Sequence, residues 1–157
     1  MKRDKNLQEL SRDHHHGLLL GWKIRQGLKL QADPALIVEY IRYFFESALL
    51  PHFEEEETQI LTYLQDDNAH KIRTLNDHRA ITSLVEALSD SEKEPAAFLK
   101  IAELLDEHIR FEERELFPYL QDQLNSEQLN EIGIAIDSMH KPFVDTFHSQ
   151  FWNSRLN

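Results

Sequence analysis

The sequence contains one motif twice: a histidine, a glutamate four residues later, and an apolar stretch after them. The two copies are residues 52–66 and residues 108–122. Seven of their fifteen positions are identical at a fixed offset of 56. Because positions i and i+4 lie on one face of a helix, His52 with Glu56 and His108 with Glu112 can each direct an imidazole and a carboxylate toward one point. Two such helices side by side would provide the beginning of a metal site.

Two further histidines lie in apolar stripes with the three-and-four spacing of a helix face that packs on a core. One stripe consists of Leu7, Leu10, position 14, Leu18, Gly21, Ile24 and Leu28, and the other of Leu75, position 78, Ile81, Val85 and Leu88. His14 and His78 therefore face the core. His14 is followed by His15 and His16, and at most two of these three can face inward. His14 continues its stripe, so we favour it and keep His15 as the alternative.

Four histidines and two glutamates indicate a site for two cations. They are too many ligands for one tetrahedral zinc ion, which needs three or four. They suit a pair of six-coordinate ions, with two histidines for each ion and with Glu56 and Glu112 bridging. Burying such groups without a metal would be costly. A single histidine on an apolar face or a single His–Glu pair is ordinary, and the acidic run at 54–57 is typical of a solvated helix face. The prediction of a metal site depends on their combination.

The elements that must position these residues are helices. The chain has only 4 Gly and 5 Pro, and residues that favour helices dominate. We predict helices over about 6–30, 34–65, 69–88 and 95–123, and a shorter fifth helix from Asn125, interrupted or restarted at Pro142. Asp33 and Pro34 are typical of a helix start, an N-cap followed by proline. Connections of a few residues imply antiparallel neighbours, so we predict an all-α, up-down-up-down four-helix bundle.

The predicted turns place the six candidate ligands in one layer. In an antiparallel hairpin, two residues equally far from the turn lie at the same height. His14 and His52 have their midpoint at residue 33, and Glu56 and His78 have theirs at residue 67. His78 and His108 have theirs at residue 93, within the predicted connection at 89–94. All three midpoints lie inside predicted turns. His70 fails this test, because its midpoint with Glu56 is residue 63, in the middle of a helix. We therefore assign His70 to a solvated helix start.

Composition bounds the class of protein. A chain of 157 residues with 41% hydrophobic residues is expected to form one domain with a substantial core. The net charge of -11 argues against nucleic acid or an anionic membrane as partner. The absence of cysteine excludes disulfides and thiolate ligands. No secretory signal or membrane-spanning run is visible, so we predict a cytoplasmic protein.

These residues resemble the hemerythrin-like domain, also called the HHE cation-binding domain, over about residues 7–122. The most specific part is the run from His108 through Glu112 to Pro118, and Asp13-His14 and Asp77-His78 resemble the family's openings of an acidic residue followed by His. The resemblance implies a four-helix bundle that holds a non-haem di-iron centre, although manganese or zinc is possible. It implies that one iron has His14 and His52, the other has His78 and His108, and Glu56 and Glu112 bridge.

The chain departs from the oxygen-carrying hemerythrins at the third helix. Those carriers have a second histidine where this sequence has Thr82, and their second bridging residue is an Asp five residues on, not a Glu four residues on. The departure argues against reversible oxygen transport. We predict a protein that senses, carries or stores iron or a diatomic gas (O2 or NO), with such a ligand or a hydroxo or oxo bridge as partner. The alternative is a di-iron redox enzyme that reduces nitric oxide or peroxide or repairs iron centres, so enzymatic activity is left open.

The C-terminal part lies outside the resemblance. We predict that residues 1–124 form the bundle and that residues 125–157 form a helical extension. We interpret His140, Asp145 and His148 as surface residues, not a second site. Several apolar side chains are expected to cap the bundle or to join a homodimer interface: Ile132, Ile134, Ile136, Phe143, Phe147, Phe151 and Trp152.

Overall fold

The computed structural model describes residues 1–88 and 94–154, and this part of the chain contains five helices and no strand. The prediction of an all-α bundle with an extra C-terminal helix is confirmed. The helices are α1 (Gln8–Lys29, after a 3₁₀ turn at Lys5–Leu7), α2 (34–63), α3 (Ala69–Glu86), α4 (95–123) and α5 (Ser126–Met139). Helix α2 is continuous through Pro34–Phe44, Phe45–Leu49, Leu50–Glu55, Glu56–Ile60 and Leu61–Tyr63, and α4 through Pro95–Phe111, Glu112–Leu116 and Phe117–Gln123.

The helices begin where the sequence predicts. The Asp33 side chain accepts from the Ala35 N–H, and Asn68 accepts from the first amides of α3. Asn125 forms a capping box with Gln128 at the start of α5. Most of the predicted connection at 89–94 lies outside the described residues, but Pro95 opens α4 as expected.

Both repeated glutamates begin a π-helical segment, Glu56–Ile60 in α2 and Glu112–Leu116 in α4. A π turn inserts one extra residue, changes the register of the side chains and is frequent at functional sites. Proline has no N–H to bond the carbonyl four residues earlier. Pro118 therefore breaks the α-helical bonding within the second of these segments. The helices change register at the residues that the sequence analysis selects as ligands.

Two apolar clusters form the core and lie on either side of the layer of candidate ligands. One includes Leu20, Ile24, Ile37, Phe44, Phe98, Ile101 and Leu105, and the other Leu7, Leu10, Ile60, Leu116, Phe117, Leu120, Ile132 and Ile136. Leu18 departs from the predicted stripe of α1 and is 41% exposed. The reason is a close approach at Gly17, where an added Cβ would lie 2.6 Å from Ile109 Cδ1 of α4. Gly17 faces α4 there, so Leu18 lies on the outer surface.

After α5 the chain continues without helix through residues 140–154, which we call the C-terminal strap. Pro142 does not restart a helix there. Phe151 is 2% exposed, and Phe143, Phe147 and Trp152 pack against the core of the same chain, whereas Ile134 is 63% exposed. The strap therefore covers its own bundle, and the homodimer remains a prediction. Within the described residues, no helix combines the length and the apolar character needed to cross a membrane.

Candidate metal centre

The structure brings all six predicted side chains together in the middle of the bundle. Each of the four long helices contributes at least one of them. Their side chains are at most 5% exposed: His14 from α1, His52 and Glu56 from α2, His78 from α3, and His108 and Glu112 from α4. The height argument from the turns therefore predicted their convergence.

Within each repeated motif the imidazole faces its own glutamate. His52 Nε2 lies 2.9 Å from Glu56 Oε1, and His108 Nε2 lies 2.9 Å from Glu112 Oε1. The remaining histidines face the glutamate of another helix: His14 Nε2 lies 2.8 Å from Glu112 Oε2, and His78 Nε2 lies 3.1 Å from Glu56 Oε2.

Each carboxylate spans both halves of the centre. Glu56 directs Oε1 toward His52 and Oε2 toward His78, and Glu112 directs its two oxygens toward His14 and His108. Two groups of potential ligands result, and both glutamates belong to each group. The groups are His14, His52, Glu56 and Glu112, and Glu56, His78, His108 and Glu112.

Eight atoms of these six side chains are buried and have no partner with hydrogen-bonding geometry in the described structure. They are the Nε2 atoms of the four histidines and all four oxygens of the two glutamates. Unsatisfied buried polar atoms are costly and rare. Adjacent ligands of a six-coordinate ion with bonds of about 2.1 Å lie about 3 Å apart. The shorter separations in the centre have this length, so the residues fit a pair of cations.

Comparison with known proteins agrees with this geometry. The family model of the hemerythrin HHE cation-binding domain matches residues 5–120. The chain belongs to this family. Searches among curated proteins and among solved structures returned no match. The matched part of the HHE domain contains all six convergent residues and ends before α5 and the strap.

In the HHE domain, an outer carboxylate lies against the Nδ1 atom of each of the four inner histidines. In one half, Asp13 Oδ2 lies 2.9 Å from His52 Nδ1, and in the other half Asp77 Oδ2 lies 3.1 Å from His108 Nδ1. A carboxylate that accepts from Nδ1–H fixes the ring and leaves Nε2 directed inward. Both aspartates belong to the Asp-His openings on which the resemblance rests.

Glu57 and Glu113 play the same part for the other two histidines, and sequence reasoning missed them. Glu57 Oε1 lies 2.8 Å from His78 Nδ1, and Glu113 Oε1 lies 2.7 Å from His14 Nδ1. Glu113 also pairs with Arg3 at 2.8 Å. A signal was present, because these glutamates are one of the seven identities between the two copies.

The four imidazoles have raised pKa values. Burial by itself lowers the pKa of each ring, but the surrounding carboxylates outweigh it, raising His52 to about 9 and His78 to about 11. Burial raises the pKa of Glu56, yet the adjacent imidazoles lower it to about 2. Without a metal, His52 and His78 would be protonated at neutral pH beside ionised carboxylates, and a bound cation would replace those protons.

The histidines that compete for these positions lie elsewhere. His15 is exposed on the outer side of α1, and His16 is half-buried with its ring 5.4 Å from that of Phe143. His14 is therefore the histidine of the triplet that faces inward. His70 lies in the first turn of α3, as predicted, but it is half-buried and stacks on Tyr119 at 4.3 Å.

His140 is not a surface residue as predicted, because the strap folds back over the bundle and leaves the side chain 7% exposed. Its Nδ1 lies 2.9 Å from Glu55 Oε2, and its Nε2 lies 3.4 Å from Asp13 Oδ1. These three side chains form a third group with potential metal ligands. Their atoms pair with one another, unlike the eight unpartnered atoms of the centre.

The other two C-terminal candidates lie at the surface. The Asp145 carboxylate is nevertheless fixed, because it accepts from Lys23 Nζ at 2.8 Å and from the Tyr40 hydroxyl at 2.6 Å. His148 is exposed and pairs with Glu39.

Two openings adjoin the centre. An enclosed cavity of about 30 Å³ contacts His14, His52 and His108, and its other walls are largely apolar. A wider groove of about 440 Å³ runs between α2 and α3 past His78 and Thr82. The cavity therefore touches histidines of both halves of the centre, whereas the groove reaches His78 alone among the four histidines.

Proposed function

We propose that this HHE-domain protein binds two iron ions and uses them to sense, carry or store iron or a diatomic gas. The six side chains proposed as ligands are His14, His52, Glu56, His78, His108 and Glu112. The observation that carries the proposal is the set of eight buried, unpartnered nitrogen and oxygen atoms directed at one another. The apolar clusters on either side offer these atoms no hydrogen-bond partner, whereas two bound cations would be coordinated by them.

The donor atoms of the six side chains are compatible with iron. The chain has no cysteine, so the donors are imidazole nitrogens and carboxylate oxygens, which suit iron and also manganese or zinc. The pairing of each glutamate oxygen with a different half supports a dinuclear site with two shared carboxylates. When bound, a pair of iron ions supplies reversible one-electron chemistry and open positions for a small ligand.

The enclosed cavity supports a diatomic ligand. Its volume of about 30 Å³ exceeds the roughly 10–15 Å³ that one water molecule needs. Phe44, Leu49, Leu105 and Ile109 give it apolar walls. Polar side chains such as Asp13 also line the cavity, so its small volume is what supports O2 or NO over larger molecules.

A redox enzyme that reduces nitric oxide or peroxide is the second candidate, and the groove favours it. Thr82 and His78 line this groove together with Arg79 and Glu57. A polar substrate could therefore approach the half of the centre that has Thr82 where the carriers have a second histidine.

Metal loading tests the proposal. We expect purified protein, loaded with ferrous iron without oxygen, to hold two irons per chain and to develop near-ultraviolet absorption on oxidation. His14→Ala should lose at least one equivalent, and His15→Ala on the exposed side of the same turn should lose none. A wild-type protein without stoichiometric metal, or equal losses in both variants, would refute the assignment.

Gas and substrate assays separate the two candidates. Reversible spectral change with O2 or NO, without net consumption, favours sensing or carriage. Steady consumption of NO or peroxide in the presence of an added reductant favours the enzyme.

A further inference from the structure

The C-terminal strap forms the outer wall of the enclosed cavity. His140, Lys141 and Phe143 of the strap line the cavity together with His14 and His52. The strap follows α5 and lies outside the matched region of the family. The cavity beside the proposed iron ligands is therefore completed by a segment that the family model does not include.

The first anchor of the strap is His140, and it leads directly to the centre. His140 bonds Glu55 and lies beside Asp13 Oδ1, while the other oxygen of Asp13 bonds His52 Nδ1 at 2.9 Å. One carboxylate thus separates the strap from a proposed ligand. The related Asp77 in the other half instead lies 3.8 Å from Arg73 of its own helix. The contact with the strap breaks the internal symmetry of the centre.

The second anchor is Asp145, which lies away from the cavity. Its carboxylate bonds Lys23 and Tyr40, whose side chains are nine-tenths or more buried. Lys23 Nζ also lies 4.1 Å from the ring centre of Trp152, and Phe147 packs edge-on against Tyr40 at 5.0 Å. A buried ammonium with one carboxylate partner is strongly held, so this anchor fixes the middle of the strap.

We propose that the strap is the cover of the metal centre, which limits the size of molecules in the cavity and sets the rate at which ligands and iron exchange with solvent. Within the strap, His140 is a positioning residue that acts on His52 through Asp13. The inference rests on the proposed function, because it assumes that the six side chains hold metal. It assigns a role in ligand selection to residues 140–147.

Two substitutions release the strap at different anchors. His140→Gln removes the imidazole between Glu55 and Asp13, and Asp145→Asn removes the negative partner of Lys23. The matched control is His148→Gln, because His148 lies in the same strap but pairs with Glu39 at the exposed surface. Thermal melts and helical circular dichroism establish that each variant is folded.

The experiment measures exchange in iron-loaded full-length protein. We expect His140→Gln and Asp145→Asn each to increase the rate of iron removal by a strong ferrous chelator, and the rate of azide binding to the oxidised centre, at least about tenfold. Hydrogen exchange of the amides in 140–147 should accelerate in both. The His148→Gln control should match the wild type, and all four proteins should load two irons.

A spectroscopic readout tests the positioning role separately. Mössbauer spectra should change for one of the two irons in His140→Gln, because the orientation of His52 depends on Asp13, and should stay unchanged in Asp145→Asn. Unaltered exchange and azide rates in both strap variants, with two irons bound, would overturn the cover and leave the proposed function standing. A wild-type protein that binds no iron would refute both.

Discussion

Glu57→Gln is the most informative single substitution at the outer carboxylates. Glu57 Oε1 accepts from His78 Nδ1 at 2.8 Å, and its side chain is 42% exposed, so the change leaves no buried charge behind. Glutamine keeps the shape and can still accept a hydrogen bond, but it removes the negative charge that makes the imidazole a stronger ligand. The substitution therefore isolates the charge of one outer carboxylate.

The expected size follows from two opposing effects on His78. Loss of an outer partner typically weakens metal binding by about 10–100-fold. Burial lowers the pKa of His78, and contacts with Glu112, Glu56 and Glu57 raise it to about 11. Without Glu57 the ring loses its proton more easily, which offsets part of the weakening. We expect about a tenfold loss of affinity at one of the two ions, about 1.4 kcal/mol.

Competition with a chromogenic chelator measures this loss, and Glu54→Gln is the control. Glu54 is exposed one turn earlier on the same face of α2 and lines the same groove, so it tests the general effect of removing one negative charge. We expect the control to change affinity by less than about twofold. If the two variants bind iron equally well, Glu57 does not tune a metal ligand and the assignment of His78 is wrong.

Two further predictions concern pH and the core. His52 and His78 have pKa values of about 9 and 11 in the folded protein, above the unfolded value of about 6.5. Their protonation therefore adds to the free energy of unfolding of the metal-free protein. This contribution is complete below pH ~6.5 and is lost as the pH rises through the folded pKa values. Metal binding needs neutral rings, so pH-stat titration at pH 7 should register release of at least about three protons on loading, one each from His14, His52 and His78, and no release would contradict the raised pKa values. Phe98→Ala, at a fully buried position, should lower the free energy of unfolding by about 3–5 kcal/mol in urea melts. The adjacent Leu99→Ala, at a position 42% exposed, should cost under about 1 kcal/mol, and similar losses would refute the core assignment.

The convergence of the six inner residues could be predicted because it depends on helix periodicity and turn position alone. His14 and His78 share the spacing of buried leucines, and the turns at 33 and 67 fix their heights relative to α2. Neither property requires knowledge of how far apart the helices lie. The exposure of Leu18 shows the limit of periodicity, because the close approach at Gly17 rotates the buried face of α1 by a fraction of a turn.

The outer carboxylates could not be predicted from periodicity, because each bonds a histidine on a different helix. Glu57 and Glu113 occupy positions typical of a solvated helix face, and Glu57 is in fact partly exposed. Their role depends on the distance between neighbouring helices. The available sign of their role was that Glu57 and Glu113 occupy the same position in the two copies of the motif. Two solvated glutamates have no structural reason to be identical there.

The place of His140 could not be predicted either. The strap has no helical period to assign its faces, and its position depends on contacts with residues more than a hundred positions earlier, such as Tyr40 and Lys23. A histidine followed by Lys and Pro is typical of an exposed loop. Here long-range packing of Phe147 and Phe151 against Tyr40 outweighs that local preference.

The repeat gives the centre two equivalent halves, and the rest of the chain makes them unequal. His52 lies against the small enclosed cavity under the strap, whereas His78 borders the wider, more open groove between α2 and α3. Protons are therefore expected to reach the centre through the groove beside His78, while iron and its small ligands exchange through the cavity that the strap covers. The duplicated motif thus supplies four of the six proposed ligands, and the unrepeated strap makes the two openings unequal, because it lines the cavity and not the groove.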